Sequence, residues 1–65
     1  MTMYLQKNYN GTFAVSMKNE FPDSEMFKGI DYIVIIDNLP KTMTMKGLYD
    51  LLQKNYGCRK LVLDF

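Results

Sequence analysis

Asp31-Tyr32-Ile33-Val34-Ile35-Ile36-Asp37-Asn38-Leu39-Pro40 is the stretch from which the fold is read. Between Tyr32 and Ile36 apolar residues sit on both parities, whereas a strand with one solvated face alternates apolar with polar. Residues 31–37 therefore read as a strand covered on both faces, central in a sheet. Asn38-Leu39-Pro40 ends it. Beyond that turn Met45, Leu48, Leu51, Leu52 and Tyr56 recur at the spacing of an amphipathic helix, with Thr44 as its N-cap and Gly57 as its stop. Gly47 in the first turn costs about 1 kcal/mol relative to Ala, so this helix depends on packing its apolar face. Residues 59–65 read as a last strand, with Leu61, Leu63 and Phe65 on one face. The resulting β-α-β crossover lays the helix over one face of the sheet.

Upstream, Asn10-Gly11 separates two runs of β-forming residues, Met3 to Tyr9 and Thr12 to Met17. Asn-Gly suits a two-residue type I′ turn, which needs positive φ at both central positions. That turn sets Tyr9 opposite Thr12, Gln6 opposite Val15 and Tyr4 opposite Met17. The expected core side then carries Tyr4, Phe13, Val15 and Met17, with Gln6 and Asn8 among them, and the other side Leu5, Lys7, Tyr9, Thr12, Ala14 and Ser16. Phe21-Pro22-Asp23-Ser24 breaks the strand pattern with turn-forming residues, so residues 19–29 are a connection. Phe21, Met26 and Phe27 either pin it to the fold, the reading preferred here, or present an exposed apolar patch. The fold class expected is α+β: one domain over residues 1–65, an N-terminal β-hairpin (1–18) and then β-α-β (30–65), a mixed sheet with one helix on one face.

Composition narrows the chemistry. With 48% apolar and 23% charged residues the chain has an ordinary globular mix, and 65 residues allow one small core. Eight basic against seven acidic residues leave a formal charge of +1, which supplies no field for steering onto phosphates. One cysteine, Cys58, permits no intrachain disulfide, and the lack of His removes Ser/His and Cys/His nucleophile pairs and the commonest metal ligand. Asp31, Asp37, Asp50 and Asp64 are the acids near ordered elements. Asp31 and Asp37 lie at opposite ends of one strand, about 20 Å apart, too far to cooperate. No metal or other cofactor is expected, and the protein is expected not to be an enzyme. The longest apolar run, Ile33 to Ile36, is far short of the roughly 20 residues that cross a bilayer, so a cytoplasmic location is expected.

The strand Val34 to Asp37 ending in Asn38-Leu39-Pro40 resembles the first strand motif of the RNA recognition motif (RRM). Thr44, then Leu48, Leu51 and Leu52, Tyr56-Gly57 and Leu61-Val62-Leu63 extend the resemblance over residues 30–65, the first β-α-β half of that family. Gly29-Ile30-Asp31 before the strand and Asp37 to Pro40 after it are similar to the RRM of subunit b of eukaryotic translation initiation factor 3. That likeness implies a scaffold role in translation initiation, exercised through protein contacts. RNA-binding members stack bases on aromatic side chains of two central strands, and the corresponding position here is Ile35. The family's second, aromatic strand motif does not occur in the chain. In an RRM one strand lies between the two that flank the first helix. Either the sequence is the front of a longer polypeptide, or the N-terminal hairpin supplies that insert.

A single helix covers one sheet face, which leaves Ile33 and Ile35, or their opposite-parity neighbours, for another surface. The contacts expected there are Ile33, Ile35 and Asp37, with Asn38 at the strand end, the alternative being that Ile33 and Ile35 are core under the connection; aliphatic residues suit a protein partner better than stacked bases. A weaker nucleic-acid site is Lys54, Tyr56, Arg59 and Lys60 around Gly57, where cations also complement the helix dipole. The partner expected is a protein, with RNA or a second copy of the chain as other occupants, and no membrane. The alternative reading is a small phage or mobile-element inhibitor that blocks a host enzyme by surface contact. Six methionines in 65 residues suit an adaptable binding surface, although Met17, Met26 and Met45 read more simply as core filler. Cys58 reads as a small buried residue rather than a reactive thiol.

Overall fold

A computed structural model describes residues 1–21 and 23–65. Five elements follow in the expected order: β1 (Thr2–Lys7), β2 (Phe13–Lys18), β3 (Tyr32–Leu39), α1 (Met45–Tyr56) and β4 (Lys60–Asp64). The four strands form one mixed sheet in the order β3-β2-β1-β4, with β1 antiparallel to β2, β2 antiparallel to β3, and β4 parallel to β1. This is the expected α+β architecture, but β3 lies at an edge and not at the centre. The hairpin is inserted whole between β3 and β4, so two strands separate the pair flanking the helix where the RRM resemblance implies one.

The hairpin register differs by one residue from the Asn-Gly reading. Gly11 has φ 86°, but Asn10 does not share the left-handed region, and a type I′ turn needs both. Instead the Asn8 amide donates to Thr12 C=O (2.8 Å) and the Gly11 amide to Asn8 C=O (3.1 Å), closing a three-residue loop with Gly11 in the left-handed position. The Asn10 carboxamide oxygen accepts from the Thr12 amide (3.1 Å) and hydroxyl (2.6 Å), an Asx-type lock that favours the longer loop. Tyr4 consequently faces Ser16, and Leu5 faces Val15. A one-residue slip exchanges faces. Leu5 and Met3 turn into the core beside Val15, while Tyr4 joins Gln6, Ala14 and Ser16 on the other side.

β3 is apolar on both parities because it is bulged, not because both faces are covered. Val15 pairs with Ile36 and the next residue, Ser16, with Val34, which leaves Ile35 as an extra residue. A second irregularity between Phe13/Leu39 and Val15/Ile36 falls at Asp37-Asn38, where Asn38 takes φ 55°. The bulge lets the consecutive residues Ile35 and Ile36 both pack on the core. Met17 pairs with Ile33, so the register also puts Ile33 on the Val15 side.

Helix α1 begins where the sequence indicates. The Thr44 hydroxyl accepts from the Gly47 amide at 3.1 Å, and Gly57 closes the helix in the left-handed conformation, φ 66°, its amide donating to Gln53 C=O. A Cβ at Gly57 would meet nothing within 4 Å, so the cost of Gly57→Ala is backbone strain alone, about 1–2 kcal/mol. A thermal melt of that variant is expected to fall by about 4–8 °C per kcal/mol, with Gly57→Asn closer to the native value.

The buried face of α1, Leu48 and Leu52, seals Met3, Leu5, Val15, Leu39 and Cys58, with Phe13, Ile35, Ile36, Leu51 and Leu61 around them. Cys58 is a buried free thiol whose Sγ donates to Lys60 C=O at 3.3 Å. The connection after β2 is organised by Asn19. Its side-chain amide donates to Phe27 C=O and Ile30 C=O, both at 2.8 Å, and its carboxamide oxygen accepts from the Phe21 amide at 2.9 Å. Phe21 and Met26 are exposed, as the alternative of an apolar patch has it, and Phe27 is half-buried; none of the three joins the core, so the preferred reading that they pin the connection to the fold is not met at Phe21 and Met26. The turn expected at Pro22 lies outside the described residues.

Candidate functional site

With α1 on one side, the sheet presents its other side without a helix. Cross-strand partners share a face. The helix-free face is therefore made by Thr2, Tyr4 and Gln6 of β1, Ala14, Ser16 and Lys18 of β2, Tyr32 and Val34 of β3, and Lys60, Val62 and Asp64 of β4. Ala14 and Ser16 are small residues between larger neighbours and form its floor, buried although no helix covers them. Tyr4 and Tyr32 meet edge to face at 5.4 Å, and Lys18 Nζ lies 5.8 Å from the Tyr4 ring centre. The Ser16 hydroxyl donates to Gln6 Oε1 (2.8 Å), and Gln6 Nε2 donates to Asp64 Oδ2 (3.1 Å), so a polar chain crosses β2, β1 and β4. Among the described residues no buried side-chain nitrogen or oxygen lacks a partner. The face is thus pre-ordered, with rings and amides already held. Val34 stands out on it at 54% exposure, the one aliphatic residue of the β3 run turned away from the core.

Of the contacts expected from the sequence, Ile33 and Ile35 lie on the opposite face, Ile35 packed against the core. The bulge at Ile35 causes this, because it inverts the parity on which the reading rested. Asp37 and Asn38 are exposed at the bulged end of β3, where Asp37 Oδ1 accepts from Asn8 Nδ2 and from the Asn38 amide, each at 2.8 Å. Asp37 holds the hairpin loop to β3 through Asn8, and the Asn38 amide fixes the Asp37 carboxylate. Tyr32 and Val34, the opposite-parity members of the same run that the sequence left open, stand on the helix-free face instead, with Tyr4, which the slipped register had turned inward.

The second group does not form one surface. Lys54 is exposed in the last turn of α1 and Tyr56 is partly exposed at its end, while Lys60 points to the helix-free face. Arg59 C=O accepts from the Tyr49 hydroxyl at 2.8 Å, which ties the start of β4 to the helix. The helix side has a feature of its own, a groove of about 430 Å³ between α1 and β4 lined by Met45, Lys46, Tyr49, Asp50, Leu61 and Leu63. Among the described residues no three His, Cys, Asp or Glu side chains converge, and no helix is long and apolar enough to cross a membrane.

Comparison with family models, with curated proteins and with solved structures returns no match for this chain.

Proposed function

We propose that this protein is a non-catalytic, cytoplasmic binding module that engages a protein partner through the helix-free sheet face. The reading is carried by the exposure of Val34 beside the pre-ordered Tyr4–Tyr32 pair. Aromatics whose ring packing is already made lose little entropy on binding, and Tyr is enriched at protein interfaces. Charge argues against nucleic acid. Of the two lysines on this face, Lys18 lies near the Tyr4 ring, and Lys60 shares the face with Asp64, so few cations are left to release counterions from a phosphate backbone. The buried free thiol of Cys58 is in keeping with a reducing compartment. A translation-initiation scaffold of RRM type is the narrower form of this proposal and rests on the strand motif around Asn38-Leu39-Pro40.

Affinity capture with Val34→Glu tests it, with Gln53→Glu on the exposed side of α1 as the matched control. Wild type and control are expected to retain the same stoichiometric partner and Val34→Glu to lose it, because a carboxylate would be placed in a desolvated patch. Capture unaffected by Val34→Glu would overturn the choice of face. Tyrosine fluorescence quenched by a single-stranded RNA oligomer at physiological salt would transfer the reading to nucleic acid.

A further inference from the structure

We propose that β4 pairs with β4 of a second copy of this chain, antiparallel about a two-fold axis through Val62, joining two four-stranded sheets into one continuous sheet. The two sheet edges differ in a way that singles out β4. β3 carries two register irregularities and a left-handed Asn38, devices that spoil an edge for pairing. β4 runs in unbroken register with β1 from Lys60 to Asp64 and contains no proline. Its outer side is open.

Backbone parity and side-chain order both match such a pair. Lys60 N–H donates to Met1 C=O, so within β4 the even-numbered residues turn their amides and carbonyls toward β1, and Leu61 and Leu63 turn theirs outward. A two-fold through Val62 sets Leu61 against Leu63 of the other copy, so the outward groups meet as hydrogen-bonded pairs. The same register sets Lys60 against Asp64 of the other copy, twice, on the helix-free face. Lys60-Leu61-Val62-Leu63-Asp64 is therefore self-complementary, cation to carboxylate and leucine to leucine, as an isologous interface requires. On the helix side the pairing covers Leu63, 55% exposed, and brings two copies of the α1–β4 groove together, where Met45 is 48% exposed. The inference is independent of the sheet-face reading, and it extends that face across two copies.

Charge exchange followed by sedimentation velocity over a range of concentrations decides the matter. The full wild-type chain is expected to sediment as a dimer. Lys60→Asp and Asp64→Lys each replace both attractive pairs by repulsive ones and are expected to weaken dimerisation by at least about tenfold. Mixing the two single variants restores opposite charges at both contacts and is expected to give a heterodimer, and the double variant to recover the homodimer. Leu63→Pro removes one outward N–H without touching the β1 ladder and is expected to give a folded monomer by circular dichroism. A wild-type chain that stays monomeric at every concentration, single variants that dimerise like wild type, or a loss that mixing does not repair would each overturn the proposal.

Discussion

Leu52→Ala is expected to remove the cooperative thermal transition of this protein or to move it below room temperature. Leu52 is fully buried, at 0% exposure, where α1 meets Met3, Leu5, Val15 and Cys58. Truncation of a buried Leu costs about 2–5 kcal/mol, the transfer of lost methylenes plus a cavity that the neighbours fill only in part. A domain of this size holds in reserve only about 3–5 kcal/mol. No disulfide supplements that reserve. The helix has little independent stability either, since Gly47 lies in its first turn and its twelve residues are near the lower limit for an isolated helix. Loss of Leu52 should therefore release α1 and with it the crossover to β4. Leu52→Met, which nearly conserves volume, is expected to cost less than about 1.5 kcal/mol. A far-ultraviolet melt of both variants checks this, and a two-state transition near the wild-type midpoint for Leu52→Ala would contradict the packing described.

Leu5→Asp and Tyr4→Thr are expected to part sharply. Leu5 is 3% exposed and faces Val15 beneath the helix, so an aspartate there buries a carboxylate with no partner, at a cost of several kcal/mol. That exceeds the whole reserve, and the chain should be unfolded. Tyr4 stands on the helix-free face, where Thr keeps strand propensity and forfeits the ring contact with Tyr32, about 0.5–1.5 kcal/mol plus some apolar area. Tyr4→Thr should stay folded with a lower midpoint. The hairpin register inferred from Asn10-Gly11 alone would reverse the two outcomes, so the pair of variants measures the register directly.

The residues explain where legibility stopped. The hydrophobic spacing of α1 and its caps at Thr44 and Gly57 could be read because a helix end is a local matter of hydrogen bonds within one turn. The existence of the hairpin was equally legible, but its register was settled by Asn10 accepting from Thr12, a side-chain bond that competes with the turn Asn-Gly would otherwise make. Strand β3 misled for a different reason. Its unbroken apolar run has two physical explanations, burial on both faces or a bulge that returns the next residue to the same face, and composition does not distinguish them. Assigning residues to the helix-free face suffered directly, since Ile35 and Val34 exchanged faces with that bulge. Sheet order was legible only as one of two readings, the hairpin as the insert between the strands that flank α1; what was not legible is that β1 rather than β2 pairs with β4, a contact between residues separated by nearly the whole chain.

That same pairing determines how the molecule would respond to tension. The first and last strands are neighbours and run parallel, so a pull on the two ends of the chain drags β1 and β4 past each other along their length. The load then falls on the whole ladder from Thr2–Lys60 to Gln6–Asp64 at once, in shear, instead of peeling one hydrogen bond after another. A fold with a small thermodynamic reserve thereby gains resistance along one axis, and forced extension is governed by the barrier to that sliding step rather than by the equilibrium stability.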